Sequence, residues 1–145
     1  MNIRKVIDRT PQLIDDLTSV WESSVTATHD FLSPSEIAAI KSYIPQALID
    51  VPHLIIAEAK DRPIAFMGIA EQKLEMLFLA PEWRGHGLGK LLLLYGIEHH
   101  QIMEVTVNEQ NPLAQGFYEH MGFRTHKRTK HDEQGAPYPL LYMKR

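Results

Sequence analysis

Leu77-Phe78-Leu79-Ala80-Pro81-Glu82-Trp83-Arg84-Gly85-His86-Gly87-Leu88-Gly89 runs from an apolar strand through a glycine-rich loop into a helix. Leu74 to Leu79 reads as the strand and Ala80 to Gly87 as the loop. Leu88 to about His100 reads as the helix, because Leu91, Leu92, Leu94, Tyr95 and Ile97 recur at helical spacing. At such a junction unpaired backbone N–H groups and the helix dipole favour an anion. Three glycines at alternate positions weaken a helix start unless a tight turn or a close backbone approach needs them.

Two familiar phosphate loops are excluded by spacing. The third glycine falls two residues after the second, and no acidic strand end lies where a dinucleotide-binding unit would place one. An ATP-binding loop would carry Ser or Thr after its lysine to hold magnesium, and Lys90 is followed by Leu91.

Working outward, Met103 to Val107 is another apolar strand, so the helix before it is a crossover and the two flanking strands should run parallel. Upstream, Leu54 to Ala59 and Ile64 to Ala70 form a hairpin through Lys60, Asp61, Arg62 and Pro63, and Leu74 to Leu79 continues the meander. Ile3 to Ile7 reads as a short edge strand. Thr10 and Pro11 then open a helix whose apolar residues Leu13, Leu17, Val20, Trp21 and Val25 share a face, ending near Thr28. Ser33, Pro34 and Glu36 form a capping box for a short helix through about Tyr43, which Pro45 interrupts. Downstream, Asn111 and Pro112 start a helix that ends by Gly122. Phe123 to Lys130 and Tyr138 to Met143 make a closing hairpin around Asp132 to Gly135. With no internal repeat, linker or low-complexity stretch, residues 1–145 read as one α+β domain.

The stretch Leu77 to Gly89 resembles the pyrophosphate motif of the GNAT superfamily of acyl-CoA N-acyltransferases. That motif reads Gln or Arg, two residues, Gly, one residue, then Gly or Ala, and Arg84, Gly87 and Gly89 match it. A second block, Asn108-Glu109-Gln110-Asn111-Pro112-Leu113-Ala114-Gln115-Gly116-Phe117-Tyr118-Glu119-His120-Met121-Gly122-Phe123, resembles the same family and stands one helix and one strand downstream. The resemblance implies a mixed, mostly antiparallel sheet of about seven strands with a splayed parallel pair, flanked by about four helices. It implies direct acetyl transfer from acetyl-CoA to an amine through a tetrahedral intermediate. The chain has no Cys to carry an acyl group on sulfur, in keeping with the direct route.

Residue by residue, the resemblance implies that the backbone of Leu77, Phe78 and Leu79 pairs with the pantetheine arm. The N–H groups from Arg84 through Gly85, His86, Gly87, Leu88 and Gly89 to Lys90 would meet the phosphates. Asn111 matches an asparagine that touches the pantetheine arm and is also a good helix cap before Pro112; Asn108 reads as a turn residue. Tyr118 matches the tyrosine that protonates the departing thiolate, and a phenol near pKa ~10 is a plausible donor to a thiolate near ~8.5. The acceptor amine, with a pKa near ~10, must lose a proton before attack. Glu75 or Glu71, on or beside the third meander strand, and His29, in the Thr28-His29-Asp30-Phe31-Leu32 segment bordering the acceptor side, are the candidate bases. Gly135, Pro137, Tyr138 and Pro139 match an element near the end of small bacterial-type members.

Other classes fit less well. The net charge is −3 with the 15 Lys and Arg scattered, so no basic stripe favours nucleic acid. No apolar run approaches the ~20 residues of a bilayer span. Without a signal-peptide core at Met1 to Val6 the expected location is cytoplasmic. None of the eight His shows metal-ligand spacing, and no Gly-x-Ser-x-Gly hydrolase elbow occurs. The expected partners are acetyl-CoA and an amine, with exposed terminal strands that would permit a homodimer. The competing reading is a non-catalytic CoA-binding or protein-interaction module on the same fold, since fold does not guarantee activity.

Overall fold

The computed structural model describes all residues, Met1–Arg145. In chain order the elements are β1 (Asn2–Lys5), α1 (Pro11–Thr28), α2 (Pro34–Lys41), α3 (Ile44–Asp50), β2 (His53–Ala59), β3 (Arg62–Ala70), β4 (Lys73–Leu79), a 3-10 turn at Pro81–Trp83, α4 (Leu88–His100), β5 (Glu104–Asn108), α5 (Pro112–His120), β6 (Arg124–Thr129) and β7 (Leu140–Lys144). The strands form one sheet in the order β1-β2-β3-β4-β5-β7-β6. Every neighbouring pair is antiparallel except β4 and β5, which run parallel across the α4 crossover as the sequence requires. No helix is long and apolar enough to cross a membrane.

The middles of β2 (residues 54–57) and β3 (residues 64–69) are apolar without alternation and buried, as suits strands covered on both faces. Alternate β2 residues divide between two cores. Ile55 and Ala57 join Met67, Leu92, Leu93 and Phe123 on the α4/α5 face, whereas Leu54 and Ile56 join Leu17, Trp21, Leu48 and Phe66 on the α1 face. The β2–β3 hairpin closes with Lys60 and Asp61 both left-handed (φ 54° and 61°), the geometry that matches the strands' own twist.

The helix starts follow local chemistry. Thr10 Oγ1 accepts from the Leu13 N–H at 3.1 Å, and Ser33 and Glu36 exchange both capping-box bonds. Pro45 does end one helix, but it also sits in the first turn of the next, where its missing N–H has no intrahelical partner to lose. The result is a fifth, seven-residue helix, α3, which buries Leu48 fully. Its C-terminus is held from a distance: Arg9 Nη1 donates to the carbonyls of Leu48, Ile49 and Val51 at 2.9, 2.8 and 2.6 Å.

The feature that positions the site lies in β4. It pairs with β5 only at Lys73–Glu104 and Leu74–Val105. On its other side Gly68 of β3 faces Met76 and Ile69 faces Leu74, so Glu75 is an extra residue, a β-bulge. The bulge inverts the alternation. Leu74 belongs to the α4/α5 core, yet Met76, two residues on, packs against the α1 core, with Leu77, Phe78 and Leu79 alternating from there. A bulge bends and twists its strand, and beyond this one β4 separates from β5. The sheet is left with an open seam between two polar backbone edges.

Candidate active site

The seam is the floor of a cleft that passes through the sheet. On the α4/α5 face it is lined by Leu88, Phe117 and Tyr118, and on the α1 face by Ser24, Thr28 and His29, with Glu75 to Leu79 of β4 and Val105 to Asn108 of β5 between them. A backbone edge buried without partners is unfavourable. The free edges of Leu77 to Leu79 therefore suit an extended, amide-bearing molecule able to pair with them.

At the wide end stands the glycine loop. Gly85 and Gly87 have φ of +77° and +80°, and nothing lies within 4 Å of where a Cβ on either would project. The N–H groups of residues 85 to 90 find no acceptor within the protein, because the first intrahelical bond of α4 is Leu91 N–H to the Gly87 carbonyl. Six adjacent free donors at a helix N-terminus form an anion cradle. The Arg84 N–H differs, since it donates to the Pro81 carbonyl, but the Arg84 side chain lines the cleft together with Lys90. The His86 ring turns aside, edge-on to Trp83 at 6.3 Å, leaving only its backbone in the cradle.

Asn111 caps α5, its side chain accepting from the Ala114 N–H at 3.3 Å, and also lines the cleft. Tyr118 packs edge-to-face against Phe117 and Phe123 at 5.1 and 5.7 Å. Its hydroxyl bonds to no protein group but is not enclosed, so it opens on the cleft it lines. Burial pushes its pKa well above the usual phenol value, and the hydroxyl keeps its proton throughout the working pH range.

His29 terminates α1, its ring 5.2 Å from Phe31, whose ring in turn lies 6.3 Å from Tyr138 on the segment between β6 and β7. Its tautomer follows from two bonds. Thr28 Oγ1 donates its one hydrogen to the Ser24 carbonyl at 2.9 Å, so at the 2.7 Å contact with His29 Nδ1 it must accept. Nδ1 therefore carries the ring proton and Nε2 the lone pair. Burial lowers the His29 pKa, the positive charge of Arg84 lowers it further, and Asp30 partly opposes both.

Glu75 is exposed at the bulge and also reaches the cleft. Glu71 does not: it occupies the β3–β4 turn with φ 54°. Sequence reasoning passed over Ser24 and Thr106, both cleft residues. For Thr106 a signal existed, because Glu104-Val105-Thr106-Val107-Asn108 alternates with period two, separating a core face from a polar one.

A split parallel pair opening onto a helix N-terminus with free N–H donors is an arrangement suited to an extended ligand with an anionic end. The family model described as acetyltransferase (GNAT) domain matches residues 21–138. Peptidyl-lysine N-acetyltransferase YjaB of Salmonella typhimurium is 37% identical over 127 residues, 88% of each chain. The solution structure of apo-form YjaB from Escherichia coli superposes with a TM-score of 0.87 at 34% identity, covering 99% of this chain and 97% of that one. The fold also matches that of the PaiA N-acetyltransferase of Thermoplasma acidophilum, solved in complex with coenzyme A, with a TM-score of 0.75 at 22% identity over the full length of both chains. The chain belongs to the GNAT acetyltransferase family. It is accordingly an N-acetyltransferase, an enzyme that moves an acetyl group onto an amine.

Proposed function

We propose that the protein, acting in the cytoplasm as one domain over its whole length, transfers the acetyl group of acetyl-CoA to the ε-amine of a lysine in a peptide or protein. The observation that carries the reading is the through-sheet cleft, with the anion cradle on one face and a neutral, oriented imidazole on the other. The choice of lysine follows the relative that is 37% identical over 88% of this chain.

The residues fit the carrier. The free N–H groups from Gly85 to Lys90 would hold its phosphates and Arg84 and Lys90 would add positive charge, while the edge of Leu77 to Leu79 and the Asn111 amide would receive the pantetheine arm. When bound, acetyl-CoA supplies an activated thioester carbonyl. A backbone N–H of β4 near Leu79 would support negative charge on that oxygen.

The chain's own groups manage the protons. His29 is pre-set as the base: Thr28 fixes its tautomer, Nε2 keeps the lone pair, and burial beside Arg84 holds the ring neutral, so it can take a proton from an incoming ammonium. Glu75 is the second candidate, favoured by its place at the point where β4 leaves β5. On the other face Tyr118 presents Oη–H to the leaving sulfur. Because its pKa lies above that of a thiol, it acts mainly as a hydrogen-bond donor rather than by giving its proton up completely.

Purified protein should bind acetyl-CoA in calorimetry, with ATP and NAD as negative controls. It should then release free thiol when given a peptide with one unblocked lysine. Acetyl-CoA binding without turnover on any amine would leave the non-catalytic CoA-binding module as the reading.

A further inference from the structure

The C-terminal end of α4 carries rings that the cleft does not use. His100 stacks on His53, the first residue of β2, with ring centroids 4.6 Å apart, and His99 lies 4.3 Å from Tyr95. None of these rings lines the cleft. His53 Nδ1 is enclosed and has no hydrogen-bond partner. Buried polar groups almost always find partners, and an exception calls for a reason.

The charges around the stack have one sign. Lys5 of β1 stands opposite Ile55, which joins the α4/α5 core, so Lys5 and His53 share that face with His100. The carboxylates of these elements are turned elsewhere. Strand β1 has none; Glu58, the one on β2, binds Arg4 at 2.7 Å, and Arg4 stands opposite Ile56 of the α1 core. Glu98, the one on α4, is exposed and two residues from His100, a spacing that does not share a helix face. On β3 the residue facing His53 is the uncharged Ile69. Burial lowers the His100 pKa, and the positive charges of His53, Lys5 and His99 lower it further.

The body of α4 is held by other means. Leu92 and Leu93 are fully buried, and Gly96 lies so close to Ile102 and Met67 that a Cβ there would collide with them. Beyond Gly96 the hold is slighter: Ile97 is half-buried, Glu98 and His99 are exposed, and His100 makes the ring contact with β2.

We infer that His53 and His100 form an acid-sensitive clasp: stacked and uncharged they tie the last turn of α4 to the β1–β2 edge, and protonation releases that turn. An imidazolium carries hydrogen on both nitrogens, so a protonated His53 would enclose an N–H with no acceptor for as long as the stack stayed shut. A protonated His100 would meet Lys5 and the second ring with no carboxylate to balance it. Opening gives both rings to water. The sign follows from linkage. His100 binds fewer protons in the closed form than in the open one, so closure is favoured above ~6.5 and loses ground as pH falls below it.

The test is amide hydrogen exchange followed by NMR at about pH 7.5 and about pH 5.5, either side of free histidine. Protection factors, with the intrinsic pH dependence divided out, are compared among wild type, His53→Phe and His100→Gln. In wild type the amides of Glu98 to Gln101 should lose about three- to tenfold in protection on acidification, the scale of two unit charges repelling near a protein surface. His53→Phe keeps a ring to stack and should hold the neutral-pH protection, and in either variant the acid loss should shrink below about twofold. The His100 pKa should rise in His53→Phe. Equal protection of wild type at both pH values overturns the clasp. A loss of the same size in wild type and both variants assigns the effect to another group and overturns it too. An unmoved His100 titration in folded His53→Phe removes the coupling between the rings, and the clasp with it.

Discussion

Leu74 and Val105 form the last facing pair of β4 and β5, and the chain bulges at the very next residue, Glu75. The end of the pairing and the one-residue insertion coincide, which puts the Glu75 side chain at the apex of the cleft.

That placement makes Glu75 and His29 rival bases that can be told apart. Glu75→Gln should reduce kcat less than His29→Gln, for which a loss on the order of 10² is expected. The acid limb of the wild-type rate should have its midpoint below the ~6.5 of free histidine and should vanish in His29→Gln. The sign for stability follows. A histidine whose folded pKa is lowered binds fewer protons folded than unfolded, so stability falls as pH drops through ~6.5 towards the folded value. Arg84→Gln removes one cause of the lowering, and NMR titration should show the His29 pKa rising.

Tyr118→Phe keeps the ring between Phe117 and Phe123 and removes only the hydroxyl. Calorimetry should find acetyl-CoA affinity unchanged while kcat drops roughly 10²-fold. Equal losses in affinity and turnover would instead make the hydroxyl a binding contact.

Two glycines should respond in opposite directions. Gly87 is left-handed at φ +80° over open space, so Gly87→Asp strains the loop and brings a carboxylate to the cradle; acetyl-CoA should bind at least about tenfold more weakly. Gly116 lies mid-helix in α5 with no neighbour near an added Cβ. Gly116→Ala should raise stability by about 0.5–1 kcal/mol, read as a higher denaturant midpoint.

Arg9→Met should lower stability by about 2 kcal/mol, the scale of charge-assisted bonds lost at the end of a helix. Hydrogen exchange should localise the loosening to α3, with the cleft unaffected.

What was legible in the sequence was local. Gly85, Gly87 and Gly89 announced a strand-loop-helix junction, Ser33 and Glu36 a helix start, and the crossover a parallel pair. Each depends on residues a few positions apart. The bulge at Glu75 was not legible, because an inserted residue shows itself only against the register of β3. The Arg9 latch joins groups about forty positions apart, and Pro45 carries the same letter whether it stops a helix or starts one. His29 could be named a candidate from the resemblance and its titration range, and it does line the cleft, but its tautomer needed Thr28 and Ser24 one turn back. Thr106 was marked in the sequence as the polar member of an alternating strand, but its place beside the split needed the register of β4 against β5.

The short pairing of β4 with β5 has a mechanical consequence. Four strands on one side and three on the other are stitched together in the sheet by just two residue pairs, so the sheet is two plates sharing a brief hinge. A ligand bonded to both free edges would act as the missing strand and bind the plates into one. Because it would engage only the folded chain, its concentration would add directly to folding stability. The resistance of the enzyme to heat would thus rise with the amount of carrier filling the seam, acetylated or free.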